Sequence, residues 1–119
     1  MGQSIQEGDH REKMNVGEVW FVEFPYEDDL TQFKPRPCIV LDIEKLEVLS
    51  IKVTSQDARD DYDVPIFKWR ESHLDKPSFA RVSKTILLKK ESFLKKLGDI
   101  HRDDFNNIVR KFMEYNSEN

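Results

Sequence analysis

Two stretches of the chain place polar, phosphate-competent side chains at the ends of hydrophobic runs. Lys34-Pro35-Arg36-Pro37 leads into Cys38-Ile39-Val40-Leu41, and Val53-Thr54-Ser55-Gln56 closes the following run. A guanidinium presents paired donors to a phosphate or carboxylate, and a hydroxyl adds one donor that rotates to suit. An arginine at the entrance of one strand and a hydroxyl at the exit of its neighbour would share one rim of a small barrel. Taken alone, Arg36 between prolines reads as a surface residue of a turn. Thr54-Ser55-Gln56 alone reads as a strand end whose hydroxyls cap loose backbone groups.

Other chemistries are poorly supplied. His10, His73 and His101 are far apart and lack paired Cys, Asp or His spacing, so no metal site and no cofactor are expected. The loop of His73 could carry it toward the rim, but a plain surface histidine is the better reading. Cys38 has no second cysteine to pair with and lies inside an apolar run, as a buried structural thiol does.

The elements that must position the rim follow from pattern. Residues 17–24 are rich in β-branched and aromatic side chains and read as a strand, ended by Pro25. An acidic loop, Glu27-Asp28-Asp29, leads to the two prolines, which mark the approach to a second strand at 38–43. A turn at Glu44-Lys45 returns the chain through 47–53 as a hairpin. Residues 56–61 lack apolar periodicity and read as a mobile loop. Pro65 makes 63–69 an edge strand. Two short strands are expected at 78–82 and 85–88. The lysine-rich stretch 89–96 is expected to hold one helical turn, broken by Gly98. Arg102-Asp103-Asp104 opens a terminal helix with Phe105, Ile108, Val109 and Phe112 on one face. Trp20, Phe21 and Trp69 sit within apolar strands and read as core or dimer contacts rather than base-stacking platforms.

A 119-residue chain with 38% hydrophobic content is large enough to bury one core without staples. The expected organisation is a flexible N-terminal extension over 1–14, one domain over 15–116 and a tail over 117–119. No apolar run reaches membrane length and no signal-peptide pattern opens the chain, so the expected compartment is the cytoplasm. The net charge of −4 hides a segregation: residues 1–33 carry 2 Lys/Arg against 8 Asp/Glu, and residues 81–96 carry 6 against 1. A basic surface therefore exists locally despite the acidic total. Lys89, Lys90, Lys95 and Lys96 fit either a track for nucleic-acid phosphates or an ordinary solvated face. Short strands with one amphipathic helix make a mainly β (α+β) fold, a small SH3-like barrel with a C-terminal α-helix.

Four places, in order, resemble the PemK/MazF family of type II toxin–antitoxin endoribonuclease toxins. Gly17-Glu18-Val19-Trp20-Phe21-Val22 resembles the opening strand, and Gln32 to Pro37 the Gln-x-x-x-Arg-Pro loop. Val53-Thr54-Ser55-Gln56 resembles the hydrophobic-Thr-Ser/Ala strand end. Lys76-Pro77-Ser78-Phe79-Ala80-Arg81-Val82, with Leu97-Gly98-Asp99-Ile100, resembles the closing half. The resemblance implies a homodimer that binds single-stranded RNA and a cognate antitoxin protein, meets DNA only through a toxin–antitoxin complex, and has no membrane partner. It also implies metal-independent cleavage to 2′,3′-cyclic phosphate and 5′-hydroxyl ends. Arg36 and Thr54 take the catalytic positions, with Gln32, Lys34, Ser55, Gln56, Arg81 and Lys84 as substrate-binding residues. Arginine stays protonated, so Arg36 is assigned to charge stabilisation, and the residues name no general base.

Two departures from the family pattern stand out. Thr31-Gln32-Phe33-Lys34-Pro35 contains no glycine where the family's loop is glycine-rich, so a stiffer, differently shaped loop is expected. The acidic residues 27–29 lie close enough to the rim to repel phosphate. These departures support the alternative of a catalytically inactive barrel that binds a protein or nucleic acid.

Overall fold

The computed structural model describes residues 13–118. Its strands are β1 (Glu18–Pro25), β2 (Phe33–Ile43), β3 (Glu47–Thr54), β4 (Asp63–Ile66), β5 (Ser78–Lys89) and β6 (Phe93–Asp99). A 3-10 turn, Lys90–Ser92, joins β5 to β6, and α1 (Arg102–Glu118) closes the chain. The strands form one antiparallel sheet in the order β4-β5-β3-β2-β1-β6. The mainly β fold with a C-terminal helix is as expected.

Apolar residues cover both faces of this sheet, which is why β1 shows so little polar alternation. Val19, Ile39, Ile51, Val53 and Val82 form one cluster with Ile100 and with Ile108 of α1; Phe105, Phe112 and Tyr115 of the helix pack against it. Trp20, Val22, Phe24, Cys38, Val40 and Phe93 form the second cluster, on the opposite face. There the Trp20 and Phe93 rings meet edge to face, with centroids 5.8 Å apart.

Several boundaries differ from the sequence reading. Strand β2 begins at Phe33 and runs through both prolines, because β1 pairs along it from Val19↔Ile39 to Pro25↔Phe33. Strand β4 is an edge strand but stops at Ile66. The next two amides, of Phe67 and Lys68, donate instead to the Asp104 carboxylate at 3.1 and 2.8 Å, and a turn occupies 67–73. The two strands expected at 78–82 and 85–88 are one strand, β5, with a bulge: Ile51 pairs with Thr85 but Lys52 pairs with Arg81, leaving 82–84 unmatched by β3.

The lysine-rich stretch holds a single turn of 3-10 helix, at Lys90–Ser92, and its second half, from Phe93, is the start of β6. Two register shifts against β1 break its alternation, and buried Phe93 anchors its start. Gly98 lies inside β6 and ends no helix. A Cβ there would sit 2.7 Å from the Ser72 carbonyl oxygen, so the backbone of β6 approaches the 67–73 turn at that point. Met14, placed in the extension by sequence, is buried in the second cluster, and α1 continues through Glu118 into the expected tail. Residues 1–12 of the expected extension and Asn119 of the expected tail lie outside the described residues.

Candidate active site at the ends of two neighbouring strands

Strands β2 and β3 pair antiparallel through Ile39↔Ile51 and Cys38↔Lys52. Carrying that register two residues further on each strand sets Arg36 opposite Thr54 on one face, since side chains repeat every second residue. Pairing stops before that point, and neither Pro35 nor Pro37 has an amide hydrogen to extend it. Beyond the last pair, Arg36, Thr54 and Ser55 line a cleft of about 180 Å³ together with Asp75, Lys76 and Ser78.

The two central side chains are prepared differently. Arg36 is half-buried and its side chain makes no ion pair or hydrogen bond to another described residue, so its guanidinium donors are available to a ligand. Thr54 is buried, and its Oγ1 accepts the Gln56 amide at 3.1 Å. That bond uses a lone pair and leaves the hydroxyl hydrogen to be donated. Asp75 is exposed and likewise has no partner among the described residues.

Arg36 also borders a second cleft of about 240 Å³, lined by Phe24, Glu27, Lys34, Lys52, Gln56 and Arg59 among others. Glu27 dominates its electrostatics. Its Oε2 lies 3.3 Å from Lys52 Nζ and 3.4 Å from Arg59 Nη2, and its Oε1 lies 3.4 Å from Lys84 Nζ. Burial pushes the Glu27 carboxyl upward, but the hydrogen bonds and charges of Lys52 and Lys84 outweigh that and hold it below its ordinary value. Burial pulls the Lys52 ammonium down, Glu27 raises it, and the positive charges of Arg36 and Arg81 pull it down further. The net shift is downward.

Arg81 faces inward. Only 2% of its side chain is exposed, and its Nη1 donates to Asp63 Oδ2 at 2.6 Å. Asp63, Arg81 and Lys52 form a row across β4, β5 and β3. The other arm of Arg81 reaches Gln56 Oε1 at 3.4 Å. Arg81 thereby braces Gln56, whose amide holds Thr54, and does not itself reach the surface of the cleft.

The remaining expected site residues are spread over the same region. Lys34 lines the second cleft and Ser55 the first. Gln32 lines neither; its carbonyl accepts the Tyr26 amide at 3.0 Å and closes the loop. Lys84 projects from the β5 bulge to Glu27. His73, with φ of 63°, sits in the turn before Leu74 and lines neither cleft. His101 Nδ1 accepts the Asp103 amide at the start of α1. His10 lies outside the described residues. Among the described residues no cluster of His, Cys, Asp and Glu is placed to hold a metal ion. Burial pushes the Cys38 thiol up to about 12, with the Ser50 hydroxyl opposing it in part, so it is no nucleophile at neutral pH.

Sequence reasoning missed Lys52, Arg59, Asp75 and Lys76. Lys52 was legible in principle, two residues before Thr54 and so on its face of β3. Asp75 and Lys76 carry no local signal, because a turn closed by Asp104 brings them to the cleft.

The family model for PemK-like, MazF-like toxins of type II toxin–antitoxin systems matches residues 15–115. The chain belongs to this family. A comparison with curated proteins finds no match. Among solved structures, the Mycobacterium tuberculosis toxin MazF-mt6 superposes with a TM-score of 0.67 at 15% identity, covering 82% of this chain and 93% of that one. An endoribonuclease in complex with its cognate antitoxin from a mycobacterial species gives 0.69 at 13% identity, covering 85% and 92%. A MazE-MazF structure from Deinococcus radiodurans gives 0.69 at 16% identity, covering 89% and 97%. At these identities the likeness carries the fold. None of the helices described is long and apolar enough to cross a membrane.

Proposed function

We propose that this toxin-family protein is an endoribonuclease that cleaves single-stranded RNA by attack of a 2′-hydroxyl on its own 3′-phosphodiester. The observation that carries this reading is the meeting of Arg36, whose side chain has no partner among the described residues, with Thr54 in one open cleft. Attack builds negative charge on the non-bridging phosphate oxygens, which the Arg36 guanidinium meets with paired donors and Thr54 with its hydroxyl. Asp75 is the carboxylate lining that cleft, and it accepts the 2′-hydroxyl proton. The O2′–P bond forms as the P–O5′ bond breaks, and solvent water protonates the leaving 5′-oxygen. The products are a 2′,3′-cyclic phosphate and a 5′-hydroxyl.

No step calls on a metal, so activity is expected to survive EDTA. The family and the antitoxin-bound relative support a cognate antitoxin as partner and a homodimer as the working form. Cleavage of a long unstructured RNA by purified protein in EDTA, with mapping of the new ends, tests the reading. Arg36→Ala is expected to lower kcat about 100- to 1000-fold, and Thr54→Val about tenfold. Absence of cutting by folded wild-type protein freed of antitoxin would replace this reading with that of a non-catalytic binding module.

A further inference from the structure

The β1–β2 loop places a carboxylate where the cleft gathers cations from three separate elements. Lys52 comes from β3, Arg59 from the β3–β4 loop and Lys84 from the β5 bulge, and all three converge on Glu27. The loop is braced to hold that position. Tyr26 donates to the Gln32 carbonyl at 3.0 Å, Gln32 donates to the Asp29 carbonyl at 3.0 Å, and the Asp29 side chain accepts both the amide and the hydroxyl of Thr31.

The division of contacts has a chemical meaning. One Glu27 oxygen serves Lys52 and Arg59 and the other serves Lys84, so two oxygens share one negative charge among three donors. A phosphodiester offers the same arrangement through its two non-bridging oxygens. Without an anion between them, Lys52, Arg59 and Lys84 would form an uncompensated positive cluster beside Arg36 and Arg81, whose charges already depress Lys52.

We infer that Lys52, Arg59 and Lys84 form a second phosphodiester subsite next to the Arg36 cleft, and that Glu27 occupies it as a built-in competitor until an RNA strand displaces it. The inference rests on the endoribonuclease reading. Arg36 belongs to both clefts, so a strand held by its scissile phosphate there has a neighbouring phosphate directed toward the trio. Glu27 and RNA then compete for the same three cations, and loop displacement accompanies binding.

The test measures the dissociation constant of a single-stranded RNA fully 2′-O-methylated, which lacks the attacking hydroxyl and cannot be cut. Wild type, Glu27→Gln, Asp28→Asn and the double variant Glu27→Gln/Lys84→Ala are compared in low and high salt. Glu27→Gln is expected to bind about fivefold tighter at low salt, the scale of one exposed ion pair. The gain should shrink as salt screens the trio and vanish in the double variant. Asp28→Asn, which removes a charge from the same cleft without freeing those cations, should change binding less than Glu27→Gln. Equal or weaker binding by Glu27→Gln, or a gain as large from Asp28→Asn, overturns the subsite. Cleavage of unmodified RNA by the same preparations separates the two levels. Cutting by wild type with no tightening in Glu27→Gln sinks only the subsite, whereas neither cutting nor binding by any variant sinks the endoribonuclease reading and the subsite with it.

Discussion

On the proposed mechanism, removing the Asp75 carboxylate would isolate the proton-accepting step from the charge that meets the phosphate. Asp75→Asn is expected to lower kcat about 100-fold with KM changed less than twofold or so. A steady-state comparison with Arg36→Ala, in which both parameters suffer, checks the division of labour. Arg36 itself was legible in the sequence because its flanking prolines and the Thr54 strand end are recognisable together. Arg81 was not. A charged residue in a basic segment reads as a surface contact, and nothing local announces that Asp63, 18 residues earlier, waits inside to pair with it. That pair leaves Asp63 Oδ1 without a partner among the described residues, so its value lies in bracing Gln56 and Thr54 more than in net stability.

Single elements are joined here by side chains that leave their own element. Asp104 stands in the first turn of α1, yet its two oxygens hold the amides of Phe67 and Lys68, and the turn they begin ends at the Asp75 wall. Asp104→Ala is expected to cost about 1–3 kcal/mol, since two amides lose a buried acceptor. Faster hydrogen exchange at Phe67 and Lys68, with weakened RNA cleavage, would accompany the loss. Helix α1 was readable from its apolar face and acidic first turn, but not this use of Asp104, which looks in sequence like a partner for the helix dipole. Strand β6 was unreadable for another reason. Its lysines mask a weak alternation that two bulges have already shifted, and its pairing with β1 joins residues some 75 positions apart, beyond the reach of any window.

The whole molecule balances its charges by region. Among the described residues, the acidic N-terminal third meets the basic segment through Glu27 with Lys84 and Glu18 with Lys96. Burial raises the Glu18 carboxyl, but bonds from the Trp20 indole and Asn15, with the charge of Lys96, bring it below its ordinary 4.5. A carboxylate depressed by folding contributes stability fully above its unfolded value and loses it as pH falls through the folded one. Glu18→Gln is therefore expected to be less stable than wild type at pH 7, with the gap closing below pH 4.5. Urea unfolding at pH 7 and pH 3 reads that difference directly.

The two outer strands of the sheet bear on how any partner approaches. Strand β4 is four residues long and contains Pro65, while β6 carries exposed Lys95 and Lys96 and two register irregularities. Short length, proline, lysine and bulges each discourage a foreign chain from extending a sheet. Recruitment by strand addition is thus disfavoured at both ends. A protein that silences this molecule does better to lie across the cationic clefts, competing with substrate for the same ground, than to polymerise onto its margins.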